Sequence, residues 1–379
     1  MNFELSPEHV AVQRKVREFC EREVMPRAKE FDVAEQFPWP LIEGLRELGL
    51  LGVIFPKEYG GQGLDTISYC LILEELGRAD ASLALTVESH NSLCANHIFL
   101  AGTDEQRERY LPRLATGEVL GAWALTEPEA GSDAASLRTV SEFDGKQWIL
   151  NGSKTFTTQG SVAGVCVIFA RNAGGKGINA FVVEKGAEGL TVGKKEKKMG
   201  LRASDTAQLH LHDLRLGPEH LLGEPGRGFN DAMRVLDGGR VGISGVAIGI
   251  ARGALEEGVR WVRERKREFD IGREWPGLSS AGKLLADVAT EVDAARLLTY
   301  RAAALHDSGK RFAREASMAK LMSGELAMKA TTRLLDLFGP YGASMDCPVQ
   351  RYFRDAKLYQ IGEGSSQIQE LILSRHLLS

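Results

Sequence analysis

The sequence predicts a mainly α-helical protein with a central β domain: an N-terminal helical domain, a middle β-barrel or sandwich, and a C-terminal four-helix bundle. Apolar residues recur at helical spacing over residues 1–120. Short apolar or alternating runs separated by Gly and Asn occupy residues 121–229, as in a small barrel or sandwich. The helical period returns over residues 230–379. These three ranges are the predicted domains.

The N-terminal domain begins with a helix-start signal at residues 6–8, Ser-Pro-Glu. Further helices are expected over residues 65–77, 81–100 and 104–114, because their apolar residues follow the helical period. Residues 54–63 are rich in Gly and contain Pro, which predicts a loop. No segment of this domain has a pattern that strongly predicts a β-strand.

The middle domain is predicted from its turn and strand signals. Residues 147–154 combine β-type residues with the dipeptide Asn151-Gly152, so a hairpin turn is predicted at that dipeptide. Further strands are expected at residues 165–169, 180–183 and 208–211.

The C-terminal domain is expected to be an antiparallel bundle of long helices. Breaks at residues 309–310 and 339–340 would separate its helices. Gly245 and Gly249 are four residues apart and would permit close approach of a second helix. One helix face is apolar at near-heptad spacing, with Leu285, Val288, Val292, Ala295, Leu298, Ala302 and Leu305.

Composition narrows the class of protein. The chain has 379 residues, of which 43% are hydrophobic and 26% charged, as in an ordinary globular protein. A net charge of −4 gives no reason to expect a nucleic acid or an anionic membrane as partner. The N-terminus lacks the apolar run of a signal peptide, and the longest apolar run, residues 241–251, is too short to span a bilayer. Five cysteines without a C-x-x-C pair fit a reducing compartment, so a cytoplasmic location is expected.

The common cofactor and metal motifs are absent. The sequence contains no G-x-G-x-x-G after a strand, no G-x-x-x-x-G-K-[ST] and no H-E-x-x-H. His210 and His212 would share one face of a strand, but no carboxylate or thiol cluster accompanies them. No metal site is therefore predicted.

A candidate functional segment lies near the C-terminus, where Glu363 stands between Gly362 and Gly364. The glycines permit unusual backbone conformations and close approach of a ligand. Ser365 and Ser366 are good caps for a helix that begins near residue 367, and a helix start offers free N–H groups to an anion. The alternative is an ordinary helix–helix turn with a solvated glutamate.

A second candidate is the loop at residues 123–133, Trp-Ala-Leu-Thr-Glu-Pro-Glu-Ala-Gly-Ser-Asp. Thr126, Ser132 and exposed N–H groups could bind a polar heterocycle or a phosphate. The alternative is a turn-rich connection between domains.

Several motifs in order along the whole chain resemble those of the acyl-CoA dehydrogenase family. The loop at residues 125–133 resembles its first signature, and residues 151–158 resemble its flavin-contacting strand. Residues 351–357 with 361–368, Ile-Gly-Glu-Gly-Ser-Ser-Gln-Ile, resemble its second signature. Residues 56–63 with 74–80 resemble its N-terminal helical domain.

The resemblance implies a set of FAD contacts. From the two signatures and the strand they are Trp123, Leu125, Thr126, Gly131, Ser132, Phe156, Thr157, Thr158, Ser365 and Gln367. Arg265, or alternatively Arg267, would meet the FAD of a neighbouring subunit, and Asp336 and Gly339 correspond to an adenine-side contact. The acyl-CoA substrate would lie along Ser132, Asp237, Arg240 and Gly364.

The resemblance also implies a reaction, the oxidation of an acyl-CoA thioester to the trans-2-enoyl-CoA. Glu363 would be the catalytic base, since the position that carries the base in some relatives is Gly239 here. Electrons would pass to an electron-transfer flavoprotein, as in fatty acid β-oxidation, and the assembly would be a homotetramer built as a dimer of dimers. Two alternatives stay open: a flavoenzyme of the same fold that reacts with oxygen, such as an acyl-CoA oxidase, and a non-catalytic helical scaffold.

Glycines near the expected base suggest a hypothesis about the acyl group. Gly238, Gly239 and Gly362 lack side chains that would otherwise line the pocket, so it could be wide enough for branched or bulky acyl groups. The alternative is that neighbouring bulky residues fill this space.

Overall fold

The structure of the protein, a computed structural model, describes residues 4–265, 268 and 279–378. Arg267 lies outside the described residues. Its helices are α1 Pro7–Phe19, α2 Met25–Ala34, α3 Trp39–Glu47, α4 Thr66–Ala79, α5 Ala81–Glu88, α6 Asn96–Ala101, α7 Asp104–Ala115, α8 Gly228–Glu264, α9 Ser280–Asp307, α10 Ala313–Asp336, α11 Pro348–Ala356 and α12 Ser366–Leu378. Its strands are β1 Gly121–Ala124, β2 Val140–Phe143, β3 Trp148–Thr158, β4 Val165–Asn172, β5 Ile178–Glu184, β6 Leu190–Lys195, β7 Thr206–Leu216 and β8 Leu221–Leu222.

The predicted helix starts of the N-terminal region are confirmed. The Ser6 hydroxyl accepts a hydrogen bond from the backbone N–H of His9, and the His9 ring accepts one from the N–H of Ser6. Two π-helical segments, Cys20–Val24 and Ser89–Ala95, interrupt otherwise continuous helix. The segment Ser89–Ala95 follows α5 directly and faces the site described below.

The middle strands form one open sheet rather than a closed barrel. From one edge the order is β6-β7-β3-β2-β4-β5-β8, and β1 pairs beside β4. Both β1 and β2 run parallel to β4, at successive positions along it. No ladder within residues 121–222 joins β6 to β8, so each of these strands forms an edge.

The hairpin between β2 and β3 turns at a different place from the predicted one. The turn is at residues 144–147, where the Asp144 carboxylate accepts hydrogen bonds from the N–H groups of Lys146 and Gln147. The dipeptide Asn151-Gly152 lies inside β3, at a register shift in the pairing with β7. A Cβ at Gly152 would approach the Thr139 hydroxyl to 2.5 Å, so the absence of a side chain at this bulge avoids a steric clash.

One apolar core joins the N-terminal and C-terminal helices around α8. The predicted close packing at Gly245 and Gly249 is confirmed, because Cβ atoms there would lie 2.9 Å from the Cys70 carbonyl and 2.3 Å from the Glu74 carbonyl of α4. The apolar run at residues 241–251 forms the buried middle of α8. In the described ranges, no helix is both long and apolar enough to cross a membrane.

A buried ion network crosses the same contact between α4 and α8. Arg252 donates to Glu74 at 2.8 Å and to Glu75 at 2.7 Å, and both carboxylates are almost fully buried. Arg296 of α9 reaches Glu74 at 2.7 Å, and Arg78 reaches Glu75 at 3.0 Å. Helices α4, α8 and α9 are therefore joined by buried ion pairs, and removal of one charge would leave its partner uncompensated.

Candidate active site

Glu363 lies on a tight turn between a 3-10 segment, Lys357–Gln360, and the start of α12. Its φ of +55° places a non-glycine residue in the left-handed region, and Gly364 follows at φ +90°. The turn is stabilised by Gln369, whose amide donates to the Gly364 carbonyl at 3.1 Å. The Ser365 hydroxyl accepts from the N–H of Ile368 at 3.4 Å, in the capping position that the sequence predicted.

The Glu363 carboxylate points toward Gly239, in the first half of α8. A Cβ at Gly239 would lie 2.9 Å from Glu363 Oε2 and 3.2 Å from Leu93 Cδ2. Although the residue as a whole is half-buried, Oε2 is shielded from solvent and has no hydrogen-bond partner among the described residues. The space that a side chain at position 239 would occupy is thus filled by the Glu363 carboxylate.

The electrostatic surroundings keep this carboxylate basic. Burial raises the pKa of Glu363 above its usual value of 4.5, and the neighbouring Glu88 side chain and the positive charges of Lys320 and Arg240 only partly oppose the shift. Lys320 is itself buried and donates to the Tyr359 carbonyl at 2.9 Å. Burial lowers the pKa of Lys320 to about 8.

Two predicted substrate residues flank the carboxylate on α8. Asp237 and Arg240 form an ion pair one helical turn apart, and Arg240 is close enough to Glu363 for their charges to interact. The Arg240 Nε has no hydrogen-bond partner within the described residues. The structure therefore brings Asp237, Arg240, Glu363 and Gly364 into one region.

Glu88, at the end of α5, is a site residue that the sequence analysis missed. It is fully buried, and neither of its carboxylate oxygens has a hydrogen-bond partner in the described chain. Burial and the charge of Glu363 raise the pKa of Glu88 well above its usual value. A signal was present, because Glu88 is a lone acidic residue in the otherwise uncharged run from 81 to 89.

The predicted loop at residues 123–133 is joined to β3. The Lys154 ammonium donates to the Leu125 carbonyl at 3.3 Å and to Glu127 at 2.6 Å. The N–H of Thr155 donates to the Thr126 carbonyl at 2.9 Å. These contacts place the first signature beside the strand that the resemblance assigned to flavin.

This region has the properties that an isoalloxazine ring needs. Phe156 presents its ring to solvent, with 63% of the residue exposed, at a strained φ of +50°. The Thr157 hydroxyl is buried without a partner in the part of the chain that is described. A Cβ at Gly131 would meet no atom within 4 Å, so the loop borders open space. An exposed aromatic ring beside an open polar loop fits FAD.

The other predicted flavin contacts differ in exposure. The Trp123 indole is buried in the core and packs against Phe169, with ring centroids 4.8 Å apart. Leu125 is buried, Thr126 and Thr158 are half-buried, and Ser132 and Gln367 are exposed.

Arg265, Asp336 and Gly339 belong to a second region. The Arg265 guanidinium lies 3.2 Å from the centroid of the Trp261 ring, and the Trp261 indole donates to the Leu337 carbonyl at 3.1 Å. That carbonyl lies between Asp336 and Gly339, which begins a 3-10 turn. At 1.5 Å per residue, α8 separates Arg265 from Gly239 by roughly 39 Å. Within one chain these residues are far from Glu363.

Comparison with known proteins gives the same assignment along the whole chain. The family models for the N-terminal, middle and C-terminal domains of acyl-CoA dehydrogenase match residues 6–118, 122–214 and 226–378. The short-chain specific acyl-CoA dehydrogenase of Clostridium acetobutylicum is 43% identical over 377 residues, which are 99% of each chain.

Two solved structures show the same architecture. Butyryl-CoA dehydrogenase from Megasphaera elsdenii is 39% identical and covers all of both chains with a TM-score of 0.95. A chain from a structure of the electron transferring flavoprotein of Acidaminococcus fermentans is 41% identical, also over all of both chains, with a TM-score of 0.94. From its motifs, its fold and these matches, the chain belongs to the acyl-CoA dehydrogenase family.

Proposed function

We propose that Glu363 is the catalytic base in the FAD-dependent α,β-dehydrogenation of an acyl-CoA thioester to the trans-2-enoyl-CoA. One observation carries this assignment: a shielded carboxylate oxygen without a partner, held beside Gly239 on a strained turn. Such a group is poised to accept a proton from carbon, because burial keeps it basic near neutral pH.

The resemblance to the family supports the following roles for the protein groups. Glu363 takes the proton from Cα of the acyl chain, and its own backbone N–H donates to the thioester oxygen as negative charge develops there. When bound, FAD would supply the oxidising chemistry, as the acceptor of a hydride from Cβ. The loop at residues 125–133 and β3 orient the cofactor, and the apolar walls around Leu93 exclude water.

We assign the FAD contacts to the residues that the family signatures imply. The proposed FAD site therefore includes the loop residues 123–132, Phe156 to Thr158, Ser365 and Gln367, and Arg265 with Asp336 and Gly339 from a neighbouring subunit. Substrate contacts are assigned to Ser132, Asp237, Arg240 and Gly364. The domain ranges 1–120, 121–229 and 230–379 stay predictions.

The test is anaerobic mixing of the purified protein with a panel of acyl-CoA thioesters while the flavin absorbance is followed. Bleaching of the oxidised flavin band would support the dehydrogenation and rank the substrates. A yellow protein that no acyl-CoA bleaches would point to another flavin reaction. A colourless protein that cannot take up FAD would favour the scaffold.

The acyl group is proposed to be short. The names of the relatives, short-chain specific and butyryl-CoA dehydrogenases, support this. Gly238 faces open space and Gly362 has ordinary contacts, but the place of a side chain at Gly239 is taken by Glu363. The hypothesis of a wide pocket therefore depends on Gly238 and Gly362, and better turnover of branched than of straight-chain substrates would support it.

The proposed electron acceptor is an electron-transfer flavoprotein, which the similarity to a chain in an electron transferring flavoprotein structure supports. Rapid reoxidation of the reduced enzyme by oxygen, with formation of hydrogen peroxide, would favour an oxidase instead. We also propose a homotetramer, in which Arg265 could reach a neighbouring subunit. A cytoplasmic location fits the five buried cysteines, which are all free thiols within the described chain.

The pH dependence of the reaction should follow the ionisation of Glu363. Because its pKa is raised, the base is protonated and inactive at pH values where an ordinary glutamate is still ionised. We expect the rate of flavin reduction to fall as the pH drops through a value above 4.5. Stopped-flow rates across a pH series would measure it. An acid limb at or below 4.5 would contradict the burial of the base.

Substitution at Gly239 should displace the base without removing it. A Cβ there would lie 2.9 Å from Glu363 Oε2, so we expect Gly239→Ala to lower the rate of flavin reduction about 100-fold. Gly238→Ala is the matched control, since its Cβ would have no neighbour nearer than the Asn96 amide at 3.9 Å. Equal rates in the two variants would show that the position of Glu363 does not depend on Gly239.

A further inference from the structure

Glu88 is the most deeply buried unpaired carboxyl group near the proposed base. It ends α5, and the π-helical segment Ser89–Ala95 continues from it. The residue is 0% exposed, and none of the N–H or O–H groups in the described chain donates to its two carboxylate oxygens. A buried carboxyl group without a hydrogen-bond partner destabilises the fold when it is ionised. Its presence therefore indicates that it is neutral or that it has a functional role.

Two fixed points of α8 locate the Glu88 carboxyl group relative to Glu363. The position of a Cβ at Gly239 lies 2.9 Å from Glu363 Oε2 and 3.8 Å from Glu88 Oε1. The position of a Cβ at Gly242 lies 3.2 Å from the same Glu88 oxygen. Both carboxyl groups therefore face one small space beside the glycines of α8. Two adjacent buried carboxylates cannot both be ionised without a large repulsive energy, so the pair holds one proton.

The surroundings decide which of the two carboxyl groups holds that proton. Glu363 is stabilised as an anion by the positive charges of Lys320 and Arg240. No described lysine or arginine acts on Glu88 in the same way, and its other neighbours are the Ser92 hydroxyl and the phenols of Tyr69 and Tyr359. The Tyr69 hydroxyl donates to the Glu88 carbonyl or interacts with Ser92, so it does not compensate a charge on the carboxyl group.

We propose that Glu88 is a positioning residue that stays protonated and donates its carboxyl O–H to the carboxylate of Glu363. This inference rests on the proposed function, in which Glu363 is the base. This hydrogen bond fixes the orientation of the Glu363 carboxylate and stabilises its ionised form at neutral pH.

Protons balance over one turnover. Before reaction the pair carries one proton, on Glu88, and one negative charge, on Glu363. Abstraction of the substrate α-proton leaves both groups protonated and the pair neutral. After the enoyl product leaves, one proton passes from Glu363 to solvent and the singly charged pair is restored.

The test uses two substitutions that differ in whether a hydrogen-bond donor remains. Glu88→Gln keeps an N–H donor but cannot ionise, and Glu88→Leu removes the donor at similar volume. We expect the acid limb of flavin reduction in Glu88→Gln to coincide with that of the wild type. In Glu88→Leu it should move to higher pH by about one unit, which lowers the rate about tenfold on the acid side.

The direction of the shift separates the possibilities. If Glu88 were ionised, its removal would relieve repulsion on Glu363, and the acid limb of Glu88→Leu would move to lower pH. That result, or no shift at all, would overturn the proposal. Leu85→Met, a change at a buried residue of the same helix, is the control for altered packing of α5, and its acid limb should not move.

A second measurement is independent of activity. Subtracting the infrared spectrum of Glu88→Gln from that of the wild-type holoenzyme removes the bands of other protonated carboxyl groups, such as Asp355, whose pKa burial raises to about 7. At neutral pH this difference should contain the C=O stretch of a protonated carboxylic acid, shifted by deuterium exchange, whereas the difference between wild type and Glu363→Gln should not. Absence of the band from the Glu88→Gln difference would contradict the assignment. If Glu363→Gln still bleached flavin normally, the proposed base itself would fail, whereas failure of the Glu88 assignment would appear only in the Glu88 variants.

Discussion

Replacement of Glu363 by glutamine should lower the rate of flavin reduction by acyl-CoA about 10³-fold or more while FAD remains bound. Glutamine keeps the shape of the side chain but cannot accept the α-proton. Glu363 has a φ of +55°, and glutamine has a side chain of the same length and shape, so the turn should persist. Anaerobic stopped-flow absorbance would give the rate, and the flavin-to-protein absorbance ratio would give the cofactor content.

The control for this prediction is Glu370→Gln, which changes an exposed glutamate on the same C-terminal helix, α12. It should reduce flavin at the wild-type rate. Retention of more than about a tenth of the wild-type rate in Glu363→Gln would move the base to another residue, since general base catalysis contributes at least about 100-fold. Loss of FAD from the variant would show instead that the turn is needed for cofactor binding.

The largest expected effect on stability is at Arg252. Replacement by methionine keeps an apolar stem but leaves Glu74 and Glu75 with one cationic partner fewer in a buried place. We expect the free energy of unfolding to decrease by about 3 kcal/mol, because breaking a buried ion pair leaves an uncompensated charge. The midpoint of thermal unfolding of the holoenzyme would report the loss.

The matched control is Arg234→Met on the same helix. Arg234 is 63% exposed and pairs with Asp231 at 3.4 Å, so its replacement should cost less than about 0.5 kcal/mol. Burial alone would raise the pKa of Glu74, but Arg296 and Arg252 outweigh it and the pKa is lowered. The stabilisation by this pair is therefore present above the usual pKa of 4.5 and is lost as the pH falls through the lowered value. If Arg252→Met and Arg234→Met melted alike at neutral pH, the network would not stabilise the fold.

The order of helices, strands and helices could be predicted because it depends on local patterns. The cap at Ser6 and the glycine contacts of α8 were visible as residue types at the right spacing. The turn at Asn151-Gly152 was wrong, because the reason for Gly152 is its contact with Thr139 on the neighbouring strand. Whether a sheet closes is likewise a matter of long-range pairing, which short apolar runs do not encode.

The candidate site likewise contains residues that local sequence patterns indicate and residues that only the tertiary fold brings together. Glu363 could be identified as a candidate from the sequence, since glycines and helix caps lie within a few residues of it. Glu88 was missed because its relation to Glu363 arises only when α5 and the C-terminal turn pack against α8. Lys154 appeared in a motif, but its hydrogen bonds to Leu125 and Glu127 depend on tertiary structure.

The open sheet has a consequence for how the protein behaves at high concentration. Its edge strand β6 carries Lys194 and Lys195, whose side chains are each 67% exposed. An exposed strand edge can recruit the edge of another molecule and begin aggregation. Each lysine is paired with a nearby carboxylate, Lys194 with Glu196 at 3.1 Å and Lys195 with Asp205 at 3.5 Å, so a second strand could pair along this edge only by covering or displacing charged groups. The charged end of β6 thus opposes edge-to-edge association of the sheet.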